Sequence, residues 1–171
     1  MKYDNKIILP RTEAREISKG KSGLVFCKAC EAVYYKKSWH RNLRDYKNLK
    51  ENLAVKFSLC PACEMIKNRQ FEGEIIIENV PAKIKSDLIN LAKAFSKRAF
   101  ERDPMDRLID IKETKEELRI TMTENQLAVR LAKKIKETFK KAELKITYSP
   151  EPSDMVYIKL TFDSQHLTND K

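Results

Sequence analysis

Two identical cysteine pairs, Cys27-Lys28-Ala29-Cys30 and Cys60-Pro61-Ala62-Cys63, stand 29 residues apart and contain all four cysteines of this 171-residue chain. In a C-x-x-C turn the backbone folds back until both sulfurs face one point. Two such turns brought together offer four thiolates at about 2.3 Å around a tetrahedral ion. The spacing therefore predicts one structural zinc ion held by Cys27, Cys30, Cys60 and Cys63. Four sulfurs close the shell, so the ion would fold the segment and activate no water. Two disulfides are the competing reading, which a reducing cytosol disfavours. His40 is a spare candidate ligand that a complete four-sulfur shell does not need.

Iron also suits this spacing, because rubredoxin, a one-iron electron carrier, separates its two pairs in a very similar way. Rubredoxins are acidic and normally carry glycine just after each pair. Here Glu31 and Glu64 hold those places among many lysines, which favours a zinc ribbon.

The residues between the pairs are aromatic and basic together. Tyr34, Tyr35, Trp39, Tyr46 and Phe57 alternate with Lys36, Lys37, His40, Arg41, Arg44, Lys47 and Lys50. From Ser38, a candidate helix cap, Trp39, Leu43, Tyr46, Leu49 and Leu53 recur at helical spacing, which predicts a helix. Val55, Phe57 and Leu59 alternate like a strand returning to the second pair. The net charge is +10, and residues 1–72 hold 16 basic and 8 acidic side chains, so most of the excess sits in the front part. That asymmetry points to a polyanionic partner. Lys36, Lys37, Trp39, His40, Arg41, Arg44 and Lys47 are the candidate nucleic-acid contacts, cations for phosphates and exposed rings for bases. Residues 1–22, with Lys2, Lys6, Arg11, Arg15, Lys19 and Lys21, read as a flexible basic arm.

After Gly73 the pattern changes. Ile75, Ile76 and Ile77 form a β-branched run expected as a buried strand. Pro81 opens a helix whose stripe of Ile84, Leu88, Leu91, Ala92, Phe95 and Ala99 ends at Asp103-Pro104. A hairpin follows over Leu108–Ile111 and Leu118–Met122. Thr123 and Gln126 have capping-box spacing before a second helix with Leu127, Leu131, Ile135 and Phe139 on its apolar side. The opposite side carries Arg130, Lys133, Lys134, Lys140 and Lys141, a lysine face that suits either solvent or phosphates; Lys133 and Lys134 join the candidate contacts. Two alternating segments, Leu144–Tyr148 and Val156–Phe162, close the domain. The expected class is α+β: a four-cysteine zinc ribbon over 23–72, then a βαββαββ, ferredoxin-like domain over 73–162 whose final strand extends the sheet, and a polar tail over 163–171.

Catalysis finds little material. His40 and His166 are the only histidines, and no pair of carboxylates is placed for acid and base roles. The longest early apolar run, Ile7-Ile8-Leu9, is far short of a signal peptide's core, and no stretch approaches a membrane span of about 20 residues. A cytoplasmic, non-enzymatic protein without a small-molecule substrate is the expectation.

The order of motifs resembles the zinc-ribbon region and adjoining α/β domain of the large-ribosomal-subunit export adaptor family, nonsense-mediated decay protein three, and its compact prokaryotic relatives. The resemblance covers roughly residues 24–162, and only Cys27, Cys30, Cys60 and Cys63 carry over individually. It implies binding to the large ribosomal subunit through ribosomal RNA and ribosomal proteins, with zinc as a structural ion. The second zinc set and the extra C-terminal domains of the long eukaryotic forms are lacking, so assembly, quality control or dormancy of ribosomes is implied in place of nuclear export. The rival readings are a rubredoxin-like electron carrier, a protein-interaction adaptor and a DNA-binding regulator.

Overall fold

The computed structural model describes residues 23–44, 46, 54–151 and 153–163. The basic arm expected over 1–22, Lys47, most of the helix expected after Tyr46, and the tail from residue 164 lie outside the described residues. Four strands come first, β1 (Gly23–Cys27), β2 (Val33–Tyr35), β3 (Ser38–His40) and β4 (Ala54–Ser58), followed by helix α1 (Pro61–Asn68). They form one sheet in the order β3-β2-β1-β4, antiparallel except for the parallel pair β1 and β4.

The remaining elements are β5 (Gly73–Glu78), α2 (Ala82–Arg102), β6 (Leu108–Glu113), β7 (Glu117–Met122), α3 (Asn125–Phe139), β8 (Ala142–Tyr148) and β9 (Val156–Phe162). They build a five-stranded mixed sheet in the order β6-β7-β5-β9-β8. Alternation decides its two faces. Ile75, Ile77, Leu118, Ile120, Met122, Ile158 and Leu160 are buried in the core with Leu88 of α2 and Leu127, Leu131 and Ile135 of α3. Glu74, Glu78, Arg119 and Lys159 point the other way and pair across strands, Lys159 with Glu78 at 2.8 Å and Arg119 with Glu74 at 3.3 Å. Helix α3 lies close on the sheet because Gly73 has no side chain; a Cβ there would stand 2.4 Å from Ala128 Cβ.

Several expectations need correcting. Ser38 caps no helix. Ser38–His40 is a strand, because Lys36 and Lys37 both take positive φ (48° and 66°) and reverse the chain after Tyr35. The Asn68 end of α1 and the helix itself are also new: the second cysteine pair begins a helix where a second knuckle turn is expected. The final strand does not extend the sheet at its edge. β9 enters between β5 and β8, parallel to β5 in the register Ile75↔Ile158, and β8 becomes the edge. Burial explains the placement: Val156, Ile158, Leu160 and Phe162 are all buried, whereas on β8 only Ala142 is. The expected capping box also fails. Thr123 Oγ1 donates to Met105 O (2.6 Å) and accepts from Arg107 N (2.9 Å), tying the start of α3 to β6.

Candidate metal centre

The first cysteine pair sits on the β1–β2 connection. Cys27 N donates to Ala32 O (2.7 Å) and Glu31 N to Cys27 O (3.1 Å), and Glu31 takes φ 62° to turn the chain back. The second pair sits on the first turn of α1. Cys60 is its N-cap, Pro61 occupies the first turn, and the Cys60 sulfur accepts from Cys63 N. Proline fits there because that turn's N–H groups have no helical partner, and its fixed φ suits the helix. The parallel pairing of β1 and β4 delivers Cys60 beside Cys27, in the register Cys27↔Ser58.

This arrangement places the four Sγ atoms within 4.8 Å of one another, with Cys30 and Cys60 at 3.7 Å. A tetrahedron of sulfurs about 2.3 Å from a central ion has edges of about 3.8 Å, so the cluster fits a four-thiolate metal. The cysteines are thiols without a disulfide among them. Among the donors that face sulfur are Cys60 N to Cys27 (3.3 Å), Cys63 N to Cys60 (3.4 Å) and Arg107 Nη1 to Cys63 (3.9 Å). Burial raises the Cys27 thiol, but backbone N–H groups of Cys60, Ala29 and Cys30 outweigh it and hold it at about 7. Burial dominates at Cys60, which is pushed strongly upward, and at Cys63, pushed up to about 11. An ion must therefore displace protons from buried sulfur, and its positive charge supplies what desolvation withholds.

Arg107 is the residue that sequence spacing does not disclose. It stands 44 positions from Cys63, on the approach to β6. Its guanidinium carbon lies 4.3 Å from the Phe100 ring centroid, and that of Arg41 lies 4.7 Å from the same ring. Arg41 Nη1 also donates to Cys30 O at 3.4 Å. With Met105 packed against the cysteine cluster, the end of α2 and the start of β6 thus form one wall of the centre.

The other candidate contacts divide by position. Lys36 and Lys37 are exposed at the tip of the β2–β3 hairpin. Arg44 is exposed as well, and its N–H donates to Asn42 Oδ1. Trp39 packs against the cysteine cluster and the Tyr34 ring, at 5.4 Å between centroids, so it serves as core. His40 Nε2 lies 3.0 Å from Tyr35 O and 3.4 Å from Tyr46 Oη, which fixes its ring away from the sulfurs. Arg41 is held on Phe100 as described. Lys133 and Lys134 are exposed on α3, where Lys134 pairs with Glu137 at 3.4 Å.

A cleft of about 300 Å³ separates α1 from the polar face of the larger sheet, between Ile66, Arg69 and Phe71 on one side and Glu74, Asp110 and Arg119 on the other. Within it Arg119 reaches both Glu74 and Glu117, and Lys112 lies 3.8 Å from Asp110. Among the described residues no helix is long and apolar enough to cross a membrane. No protein-family model matches the chain, and none of the curated proteins compared with it matches either.

Proposed function

We propose that this is a non-enzymatic, zinc-dependent RNA-binding protein of the cytoplasm that acts on the large ribosomal subunit, in assembly, quality control or dormancy. The observation that carries the reading is the hairpin directly beside the sulfur cluster. Lys36 and Lys37 both sit at its tip in left-handed backbone, a conformation costing a non-glycine residue roughly 1–2 kcal/mol. Asn-Gly satisfies such a turn with less strain. Lys37 stands exposed at the tip and Lys36 lays its ammonium beside the Tyr35 and Tyr46 rings, which sets two cations on a short hairpin next to the sulfur cluster, where they can meet phosphates. The net charge of +10, concentrated in the first 72 residues, supports the same partner. Zinc is preferred over iron because the position after the second pair, Glu64, is a helical turn whose N–H donates to Cys60 O, unlike the glycine knuckles of rubredoxins.

The test is elemental analysis of the purified full chain followed by binding to isolated large subunits and to ribosomal RNA across a salt series. One zinc per chain and a fall of log affinity against log salt with a slope of about four to five, for about six phosphates neutralised, are expected. Bound iron with visible colour would move the assignment to electron transfer. A flat salt response would remove the phosphate mechanism.

A further inference from the structure

We propose that the face of the four-stranded sheet turned away from the sulfur cluster is a stacking platform for unpaired bases of single-stranded RNA. The proposal rests on the RNA-binding reading and names which form of RNA is taken. Register defines the face. Val25, Tyr34 and Trp39 lie on one side, where Trp39 packs against the cysteines, so Leu24, Phe26, Val33 and His40 lie on the other, joined by Val55 and Phe57 of β4.

That side carries two groups of rings, Phe26 with Phe57 and Tyr35 with Tyr46 and His40, with the buried Val33 between Phe26 and His40. Phe57 is 64% exposed and Val55 50%; among the described residues Tyr148 (58%) and Tyr157 (41%), on the larger sheet, are open as well. Phe26, on the neighbouring strand, holds its ring 6.0 Å from Phe57 at 34°. Across the sheet Tyr35 meets Tyr46 edge-on at 5.2 Å, and Tyr46 meets His40 at 5.1 Å. Lys36 Nζ stands 5.6 Å from the Tyr35 ring and 5.7 Å from the Tyr46 ring.

Charge chooses the occupant. The cores of protein interfaces are depleted of charged groups, and lysine is depleted across interfaces generally. Here an ammonium group lies over the rings, with Lys37 beside it and a strongly cationic front to the chain, which complements a strand carrying one phosphate for every base. Rings on adjacent strands of a sheet, edged by cations, are how single-stranded RNA is commonly held, because unpaired bases offer their faces and duplex bases do not.

The experiment compares three labelled ligands of equal length by fluorescence anisotropy with the full chain: a single-stranded oligonucleotide, its duplex, and an abasic strand that keeps the phosphates without the bases. The single strand is expected to bind best. Phe57→Leu is expected to lose roughly five- to 150-fold of the preference over the abasic strand, with the salt slope unchanged, and Phe57→Trp to retain it. Metal content and melting temperature of both variants, equal to those of the parent, show that an exposed ring has been changed without harming the fold. Equal binding of normal and abasic strands overturns the platform while a steep salt slope leaves the RNA reading standing. Loss of salt-dependent binding to all three overturns both. If Phe57→Leu weakens sedimentation with ribosomal subunits but leaves oligonucleotide affinity intact, the face belongs to a protein ligand and the proposal is wrong.

Discussion

The two sheets reach order by different means. Behind the five-stranded sheet, among the described residues, nineteen buried side chains from six elements make one apolar core. Behind the four-stranded sheet the buried cluster is Cys27, Ala32, Cys60, Ala62 and Cys63, three of its five members being sulfur ligands. The larger sheet is held by removing hydrocarbon from water. Among its described residues the smaller one has little hydrocarbon to remove, so ligand bonds to an ion held by the four cysteines would supply much of its stability.

The contrast is broken most directly by taking the ion away. Structural zinc contributes apparent binding energies of about 10–16 kcal/mol, so chelation or Cys60→Ser should abolish hydrogen-exchange protection in β1 and β2 while leaving β5 and β9 protected. Uniform protection after metal removal would show that the smaller sheet stands alone. The converse change, Leu131→Ala, opens a cavity in the apolar core and should cost about 2–5 kcal/mol in denaturant unfolding of the larger unit. The thiolate absorption of cobalt-substituted protein should not move.

Smaller in size, the hairpin tip separates stability from function. Replacing Lys36-Lys37 with Asn-Gly relieves left-handed strain and should stabilise the smaller sheet by about 1–2 kcal/mol, read as slower metal loss to a chelator. Affinity for large subunits should fall in the same variant. A variant that gained stability and kept its affinity would leave the two lysines without a purpose.

The smallest effect concerns Glu74. Burial raises its carboxyl above the ordinary 4.5, more than the neighbouring Arg119 lowers it. The folded chain therefore holds this proton more tightly than the unfolded chain. Its contribution favours the fold at pH below about 4.5 and is lost as pH rises through the higher folded value. Glu74→Gln should flatten that part of the stability profile above pH 4.5, measured by urea midpoints, and leave the metal centre unaffected.

How much of this can be read without coordinates follows from what each signal depends on. The cysteine spacing is a local requirement of one ion, and it leads directly to the sulfur cluster. Helices α2 and α3 and the hairpin of β6 and β7 follow from periodicities longer than any chance run. Ser38–His40 misleads because Trp39, Leu43 and Tyr46 satisfy a helical period while the reversal at Lys36-Lys37 settles the conformation, and lysines are poor markers of such a turn. Helix α1 is short, with only Ala62 and Cys63 buried, so it leaves almost no stripe to read. The place of β9 is a matter of which strand is more apolar, a comparison between β8 and β9 that chain order conceals. Arg107 has no signal in spacing at all, since it reaches sulfur through the tertiary fold.

The Arg107 guanidinium makes the smaller sheet and the larger one a single chemical object. A four-thiolate zinc centre is doubly negative, and the donor that offsets part of this charge at Cys63 arrives from beyond α2, steadied on Phe100. An excised peptide ending before Phe100 would contain every ligand and still be a weaker chelator than its parent, its sulfurs facing water where a cation belongs. Competition for a scarce ion would then reward chains that have finished folding over those still emerging.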